Sequence, residues 1–200
     1  GTRRDIDALA QISPAPPTLL AGRQATPARI ATELVKANVA HFATHGFFNA
    51  DEYDAERRRF IAQSRRLIGV SANPFDGDLI LDGQLAYSGL VLSDGEPMSA
   101  EGIVNLSLDQ LDLCTLSACE SGQGTRHIGE GVFGPVRAFH LAGCPNVVAS
   151  LWKVNDAATA ALMAKFYHEL WVNNKEPLAA LREAQLFIYH HPELVPELTQ

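Results

Sequence analysis

The fold is decided by Leu113-Cys114-Thr115-Leu116-Ser117-Ala118-Cys119-Glu120-Ser121-Gly122, an apolar run that stops at a cysteine and breaks into a glycine-containing loop. A second run of the same kind, Val39-Ala40-His41-Phe42-Ala43-Thr44-His45-Gly46, stops at a histidine and a glycine. The carboxyl ends of parallel strands line one edge of a sheet, where ligands bind. We therefore expect the two runs to place Cys119 and His45 side by side.

A thiol next to an imidazole is the nucleophile and base of covalent acyl transfer. The imidazole lowers the pKa of the thiol, takes its proton, and can later protonate a leaving amine. Backbone N–H groups beside both residues can stabilise an oxyanion. Gly46 and Gly122 suit this role, because a backbone without Cβ lets a substrate approach closely.

The composition is ordinary for a globular protein, with 200 residues, 46% hydrophobic and 20% charged. This length predicts one domain over residues 1–200, and the initial glycine in place of methionine suggests a piece of a longer protein. A net charge of −7 argues against nucleic-acid binding, because no Lys/Arg stripe is present. We see no signal peptide or membrane-length apolar run. Three cysteines without a C-x-x-C pair fit a reduced, cytoplasmic compartment.

Strand-like and helix-like periodicities alternate along the chain, which favours an α/β sandwich with a largely parallel sheet. Capping signals predict helices that begin after Thr26, after Ser99, near Asn155 or Asp156, and at Pro177. A further helix is predicted over 131–142, with Gly143 as its stop. Strands are predicted at 38–44, 79–81, 87–92 and 146–152. The last helix is expected to place Leu178, Leu181, Gln185 and Ile188 on one side.

The segment 49–78 differs from its surroundings, because it is polar, rich in arginine and then rich in turn residues. We interpret it as an insertion in the domain, with a charged helix near Ala55–Ile68. Its basic cluster, Arg57-Arg58-Arg59 with Arg65-Arg66, is interleaved with acids. We interpret that cluster as a solvated helix face in preference to a patch for an acidic partner.

Simpler explanations apply to other reactive residues. A cysteine in an apolar strand is usually a small buried hydrophobe, which is our interpretation of Cys114 and Cys144. Cys119 is open to the same reading, although its place at a strand exit favours a reactive role. His41 lies inside a strand and is interpreted as a hydrogen-bonded core residue.

Metal and cofactor sites are not expected. His41 and His45 have the spacing of a zinc protease helix, but Phe42 stands where such a helix has glutamate, and the segment is strand-like. The loop sequence Gly122-x-Gly124 lacks the third glycine of a dinucleotide-binding loop.

Six blocks of the chain occur in a characteristic order. They are His-Phe-Ala-Thr-His-Gly (41–46), Ser-Gly-Leu-Val-Leu-Ser-Asp (88–94), Leu-Ser-Ala-Cys-Glu-Ser-Gly (116–122), Gly-Glu-Gly-Val-Phe-Gly (129–134), Ala-Phe-His-Leu-Ala-Gly-Cys (138–144) and Val-Val-Ala-Ser-Leu-Trp-Lys-Val-Asn-Asp (147–156). Together they resemble the CHAT domain, a caspase-like domain that is related to separase and often attached to tetratricopeptide repeats. The resemblance runs from about Gly1 to Pro192.

This resemblance implies a caspase–hemoglobinase fold, a three-layer sandwich with a largely parallel central sheet, and a cysteine endopeptidase. It assigns His45, the histidine before glycine, as the catalytic base and Cys119, the cysteine of Ser-Ala-Cys, as the nucleophile. The implied oxyanion donors are the backbone N–H groups of Gly46 and Cys119. No metal or organic cofactor is implied.

The resemblance also implies where substrate specificity is set. The Trp-x-Val-x-Asp block (152–156) follows the strand that builds the primary pocket in such enzymes, which indicates Trp152 and Asp156, with Ser150 just before them, as substrate-binding residues. In separase-like proteins an acid there receives a basic side chain, so Asp156 would direct cleavage after Arg or Lys. Alternatively, Asp156 caps the following helix, and the sequence leaves both roles open.

The expected partners are a protein or peptide substrate and a tetratricopeptide-repeat region or activating protein that releases latency. A signalling or scaffold module with a silent protease pair is a second interpretation, and another thiol acyl-transfer enzyme, such as a ligase or transpeptidase, is a third. Because both catalytic residue types are present, the endopeptidase is favoured.

Overall fold

A computed structural model describes residues 6, 9–49, 51–55, 58–59, 85–92, 97–117, 119–120, 130–150 and 156–194, with the backbone alone at 119–120, 130–133 and 156. The chain divides into two compact units. We call Ala21–Trp152 the sheet unit, and Gly1–Leu20 with Lys153–Gln200 the hairpin unit.

The described part of the sheet unit contains both strands and helices. The strands are β1 (Val39–Phe42), β2 (His45–Phe48), β3 (Ser88–Val91), β4 (Pro97–Ser99), β5 (Leu113–Leu116), β6 (Cys119–Glu120) and β7 (Asn146–Ala149). The helices are α1 (Pro27–Leu34), α2 (Ala100–Val104) and α3 (Glu130–Leu141). The predicted α/β class is confirmed.

The first sheet is parallel and has the order β1-β5-β7. All four residues of its central strand, β5, are buried, as expected for a parallel strand that is covered on both faces. Phe139 of α3 is completely buried, and its ring lies 5.7 Å from that of Phe42 at the end of β1. The core of the sheet unit therefore reaches the carboxyl ends of the parallel strands.

The second sheet has the order β4-β3-β2-β6 and is mostly antiparallel. Strand β2 pairs antiparallel with β3 and parallel with β6. The prediction that two strands end at His45 and Cys119 is therefore wrong. Strands β1 and β5 end three residues earlier, at Phe42 and Leu116, and each chain segment then enters the second sheet. The predicted largely parallel sheet is correct for the first sheet and wrong for the second.

Several local signals are confirmed. Thr26 caps α1 by accepting a hydrogen bond from the Arg29 amide at 3.3 Å, and Ser99 caps α2 by accepting one from the Gly102 amide at 3.1 Å. Gly143, with φ of +115°, follows the end of α3, as a glycine stop does. In the segment 49–78, residues 51–55 and 58–59 are helical. The rest of the predicted helix and the strand predicted at 79–81 lie outside the described residues.

The hairpin unit contains α4 (Asp156–Tyr167), a π-helical segment (His168–Val172) and α5 (Pro177–His190). The start of the last helix at Pro177 is confirmed. Ala180 and Ala184 are completely buried, whereas the Leu178 side chain is 81% exposed. Small residues allow the closely packed helices α4 and α5 to approach each other, which a count of large apolar residues does not reveal. Among the described residues, no helix has the length and apolarity needed to cross a membrane.

Candidate active site

Two chain segments pass from the first sheet into the second and keep one register throughout. In the first sheet Val39 is the partner of Leu113 and Phe42 is the partner of Leu116. The Ser117 amide then donates to the Phe42 carbonyl at 2.8 Å. In the second sheet the same offset makes His45 the partner of Cys119 and Gly46 the partner of Glu120. The chain from Phe42 to His45 therefore spans the same number of residues as the chain from Leu116 to Cys119.

This register brings His45 and Cys119 together at the level of the backbone. Neighbouring strands of a sheet lie about 4.8 Å apart, so the two residues are adjacent although they are distant in the sequence. His45 is exposed, whereas Gly46 after it is buried. The sequence predicted that His45 and Cys119 lie at the ends of two parallel strands. They instead begin the paired strands β2 and β6.

His41 lies on the same chain segment but differs in its electrostatics. It belongs to β1 and is the register partner of Thr115 in the parallel sheet. Burial lowers the pKa of His41 from 6.5 to about 4, because desolvation disfavours the charged imidazolium. His41 therefore stays neutral at neutral pH and is a poor proton shuttle. Its predicted place inside a strand is confirmed, and the residue is half-buried.

The other two thiols are shielded. Cys114 and Cys144 are 0% and 1% exposed, and both are free cysteines. Burial raises the pKa of each thiol, and the Cys144 Sγ donates to the Asn146 carbonyl at 3.3 Å. A protonated, buried thiol is unreactive. The prediction that these two cysteines are structural is confirmed.

Strand β3 supports β2 from the side opposite β6. Val91 is the partner of His45, and the Thr44 hydroxyl donates a hydrogen bond to the Val91 carbonyl. Gly89 is the partner of both Phe47 in β2 and Ser99 in β4. A Cβ at Gly89 would lie 2.3 Å from the Met98 carbonyl oxygen, so only glycine fits at this position.

Neither the hydrogen bond of Thr44 nor the close backbone approach at Gly89 was predicted from the sequence. A glycine inside a strand is a signal of close backbone approach, and it could have identified Gly89. The bond from Thr44 joins residues that are 47 positions apart, so no local pattern reveals it.

The predicted specificity residues are placed only in part. Ser150 follows β7, whose last residue, Ala149, is the partner of Leu116 in β5. It therefore lies at the same end of the parallel sheet as the crossing that leads to Cys119. Trp152 lies outside the described residues. Asp156 is the first residue of α4 in the hairpin unit, so both of its proposed roles remain predictions.

A backbone-adjacent histidine and cysteine at a strand crossing can support nucleophilic acyl transfer.

Among the described residues, no three His, Cys, Asp or Glu side chains are grouped closely enough to hold a metal ion.

Comparison with known proteins gives one family. The model of the CHAT domain matches residues 1–196 of this chain. Neither the curated proteins nor the solved structures contain a significant match.

Proposed function

The chain belongs to the CHAT domain family, which is related to the caspase-like peptidases, and on this premise we propose that it is a cysteine endopeptidase. In the proposal Cys119 is the nucleophile and His45 is the general base and acid. The family relationship alone does not distinguish an active peptidase from a silent one, so the proposal depends on the local geometry.

The observation that carries the proposal is the register that pairs His45 with Cys119. Register partners in a parallel ladder belong to the same face of the sheet, because residues alternate between the two faces along each strand. Two features would direct the reaction to this pair and not to the other thiols. His45 is exposed and can meet a substrate, while the other two thiols are buried and protonated.

The proposed reaction follows from these two groups. The Cys119 thiol transfers its proton to His45, and the thiolate attacks the scissile carbonyl carbon to form a C–S bond. The C–N bond breaks as the imidazolium of His45 protonates the leaving amine. Water, deprotonated by His45, then attacks the thioester, and the C–S bond breaks to release the carboxylic acid. Backbone N–H groups of Gly46 and Cys119 would stabilise the oxyanion in both steps.

The finer parts of the proposal come from the resemblance of the sequence blocks. We propose the caspase–hemoglobinase sandwich as the complete fold, and the parallel β1-β5-β7 sheet supports it. We also propose cleavage after Arg or Lys, with Asp156 as the counter-charge and with Ser150 and Trp152 in the pocket. Latency that a repeat region or a partner protein relieves, and a cytoplasmic location, complete the proposal.

Labelling with an acyloxymethyl ketone that carries a basic P1 residue tests the central claim. We expect one label per chain, located on Cys119 by peptide mapping, and strongly reduced labelling in Cys119→Ala and His45→Ala. Cys114 and Cys144 serve as internal controls, because their burial should leave them unlabelled. Equal labelling of Cys119→Ala and the parent would refute the peptidase. Labelling that begins only after a partner is added would support latency.

A peptide library tests the specificity claim separately. We expect the parent to prefer Arg or Lys at P1 and Asp156→Ala to lose that preference while it keeps the Cys119 label. An unchanged preference in Asp156→Ala would leave Asp156 with only its role at the start of α4.

A further inference from the structure

The chain crosses from the first sheet to the second at 43–44, directly before His45, the proposed base. Strand β1 ends at Phe42 in the parallel sheet, and β2 begins at His45 in the other sheet. Two residues must therefore turn the chain from one sheet to the other without loss of register. A slip of one residue in β2 would move His45 to the opposite face of the sheet.

Hydrogen bonds to two neighbouring segments hold this crossing in place. On the side of the cysteine segment, the Ser117 amide donates to the Phe42 carbonyl at 2.8 Å. On the side of β3, the Thr44 hydroxyl donates to the Val91 carbonyl. Val91 is also the register partner of His45, so this bond ties the residue before His45 to the strand beside it.

Thr44 is well suited to such a bond. Its side chain is half-buried, so the hydrogen bond is partly protected from exchange with water. Its β-branched side chain is also stiff, so the hydroxyl group is held in few orientations. The bond therefore restrains the backbone just before His45.

We propose that Thr44 is a positioning residue, whose bond to the Val91 carbonyl keeps His45 in register beside Cys119. This inference rests on the proposed function, because it assigns Thr44 a task in the His45–Cys119 pair. In this proposal Thr44 acts through His45 and is not itself a catalytic residue. Loss of its hydroxyl should therefore reduce kcat and leave KM nearly unchanged.

Thr44→Val removes the hydroxyl and keeps the branched shape, while Thr44→Ser keeps the donor. We expect Thr44→Val to lower kcat on a basic peptide substrate by about 10- to 100-fold, the cost of misplacing a reacting group. Thr44→Ser should restore most of the activity. Thr32→Val is the matched control, because the Thr32 hydroxyl also donates to a backbone carbonyl, that of Ala28 at 2.9 Å. That bond lies in α1, and its loss should leave kcat unchanged.

The rate of alkylation of Cys119 by iodoacetamide provides a readout that needs no substrate. In the parent, pairing with His45 should keep Cys119 reactive below the ordinary thiol pKa of about 8.5. We expect the pH profile of Thr44→Val to shift towards that of His45→Ala, and the profile of Thr44→Ser to stay near the parent. If Thr44→Val does not fold, Thr44→Ala is compared with Thr44→Ser in the same assays.

The outcomes separate this inference from the proposed function. If alkylation of Cys119 in the parent does not depend on His45, the catalytic pair is refuted. If it depends on His45 but the profiles of Thr44→Val and the parent coincide, only the role of Thr44 is refuted. A parallel loss of activity in Thr44→Ser and Thr44→Val would also overturn that role, because the hydroxyl would then be irrelevant.

Discussion

The sheet unit and the hairpin unit are held together in different ways. Around the candidate site, position is fixed by strand register and close backbone packing, and His41 and the two buried thiols are uncharged at neutral pH. In the hairpin unit, a buried carboxylate, Glu169, accepts hydrogen bonds from Lys165 at 2.6 Å and Asn173 at 2.9 Å and pairs with Lys175 at 2.8 Å. The sheet unit should therefore be sensitive to changes of shape, and the hairpin unit to changes of charge and pH.

The largest effect is expected where close packing in the sheet unit is disturbed, at Gly89. An added Cβ at Gly89 would meet the Met98 carbonyl oxygen at 2.3 Å, the Phe47 ring at 2.8 Å and the Ser99 Cα at 2.9 Å. Two of these atoms belong to the backbone and cannot rotate away. We expect Gly89→Ala to reduce the free energy of unfolding by more than about 3 kcal/mol. Hydrogen exchange should increase in the peptides of β2, β3 and β4.

Gly22→Ala is the control for this substitution. Gly22 has a positive φ of +52° but no atom within 4 Å of an added Cβ, so only the backbone penalty of about 1–2 kcal/mol is expected. Equal losses for Gly89→Ala and Gly22→Ala would contradict the claim that tight packing around β3 holds the site.

The second effect tests the charge of the hairpin unit. Glu169 is only 4% exposed, and its oxygens face two lysines and an amide. Glu169→Gln removes the charge from these hydrogen bonds, and we expect a loss of about 3 kcal/mol. The control is Glu183→Gln, because Glu183 is 54% exposed and lies 3.9 Å from Lys175, so less than about 0.5 kcal/mol should be lost. A similar loss in both variants would contradict the central role of Glu169.

The same cluster predicts a dependence on pH. Hydrogen bonds from Lys165, then Lys175 and Asn173, lower the pKa of Glu169 from 4.5 to about 2. A carboxyl group with a lowered pKa in the folded state stabilises the protein above its unfolded pKa. This contribution is lost as the pH falls from about 4.5 towards 2. Acid unfolding followed by exchange in 156–190 should show this loss in the parent and not in Glu169→Gln.

The sequence predicted those parts of the fold that depend on neighbouring residues. The caps at Thr26 and Ser99 and the stop at Gly143 arise from bonds or dihedral angles within a few positions. They could therefore be identified from residue type alone. The adjacency of the His45 and Cys119 segments followed from a general rule about parallel strands.

The parts that depend on distant partners could not be predicted. The second sheet begins at His45 because β3 and β6 offer hydrogen bonds there, and the local sequence does not specify those partners. The bond from Thr44 to Val91 was missed for the same reason. The π-helical segment follows α4 without a break in the apolar pattern, so the change of helix type at His168 has no signal in the sequence.

The smallest effect compares buried small residues of α5 with an exposed large one. Ala180 and Ala184 are completely buried, whereas Leu178 is 81% exposed. A leucine at position 184 would overfill a close helix contact, and we expect Ala184→Leu to cost about 1–3 kcal/mol. Leu178→Ala should change the free energy of unfolding by less than about 0.5 kcal/mol, although leucine is the larger hydrophobe. Urea unfolding of both variants measures this contrast, and a larger loss for Leu178→Ala than for Ala184→Leu would contradict the packing of α5 through its alanines.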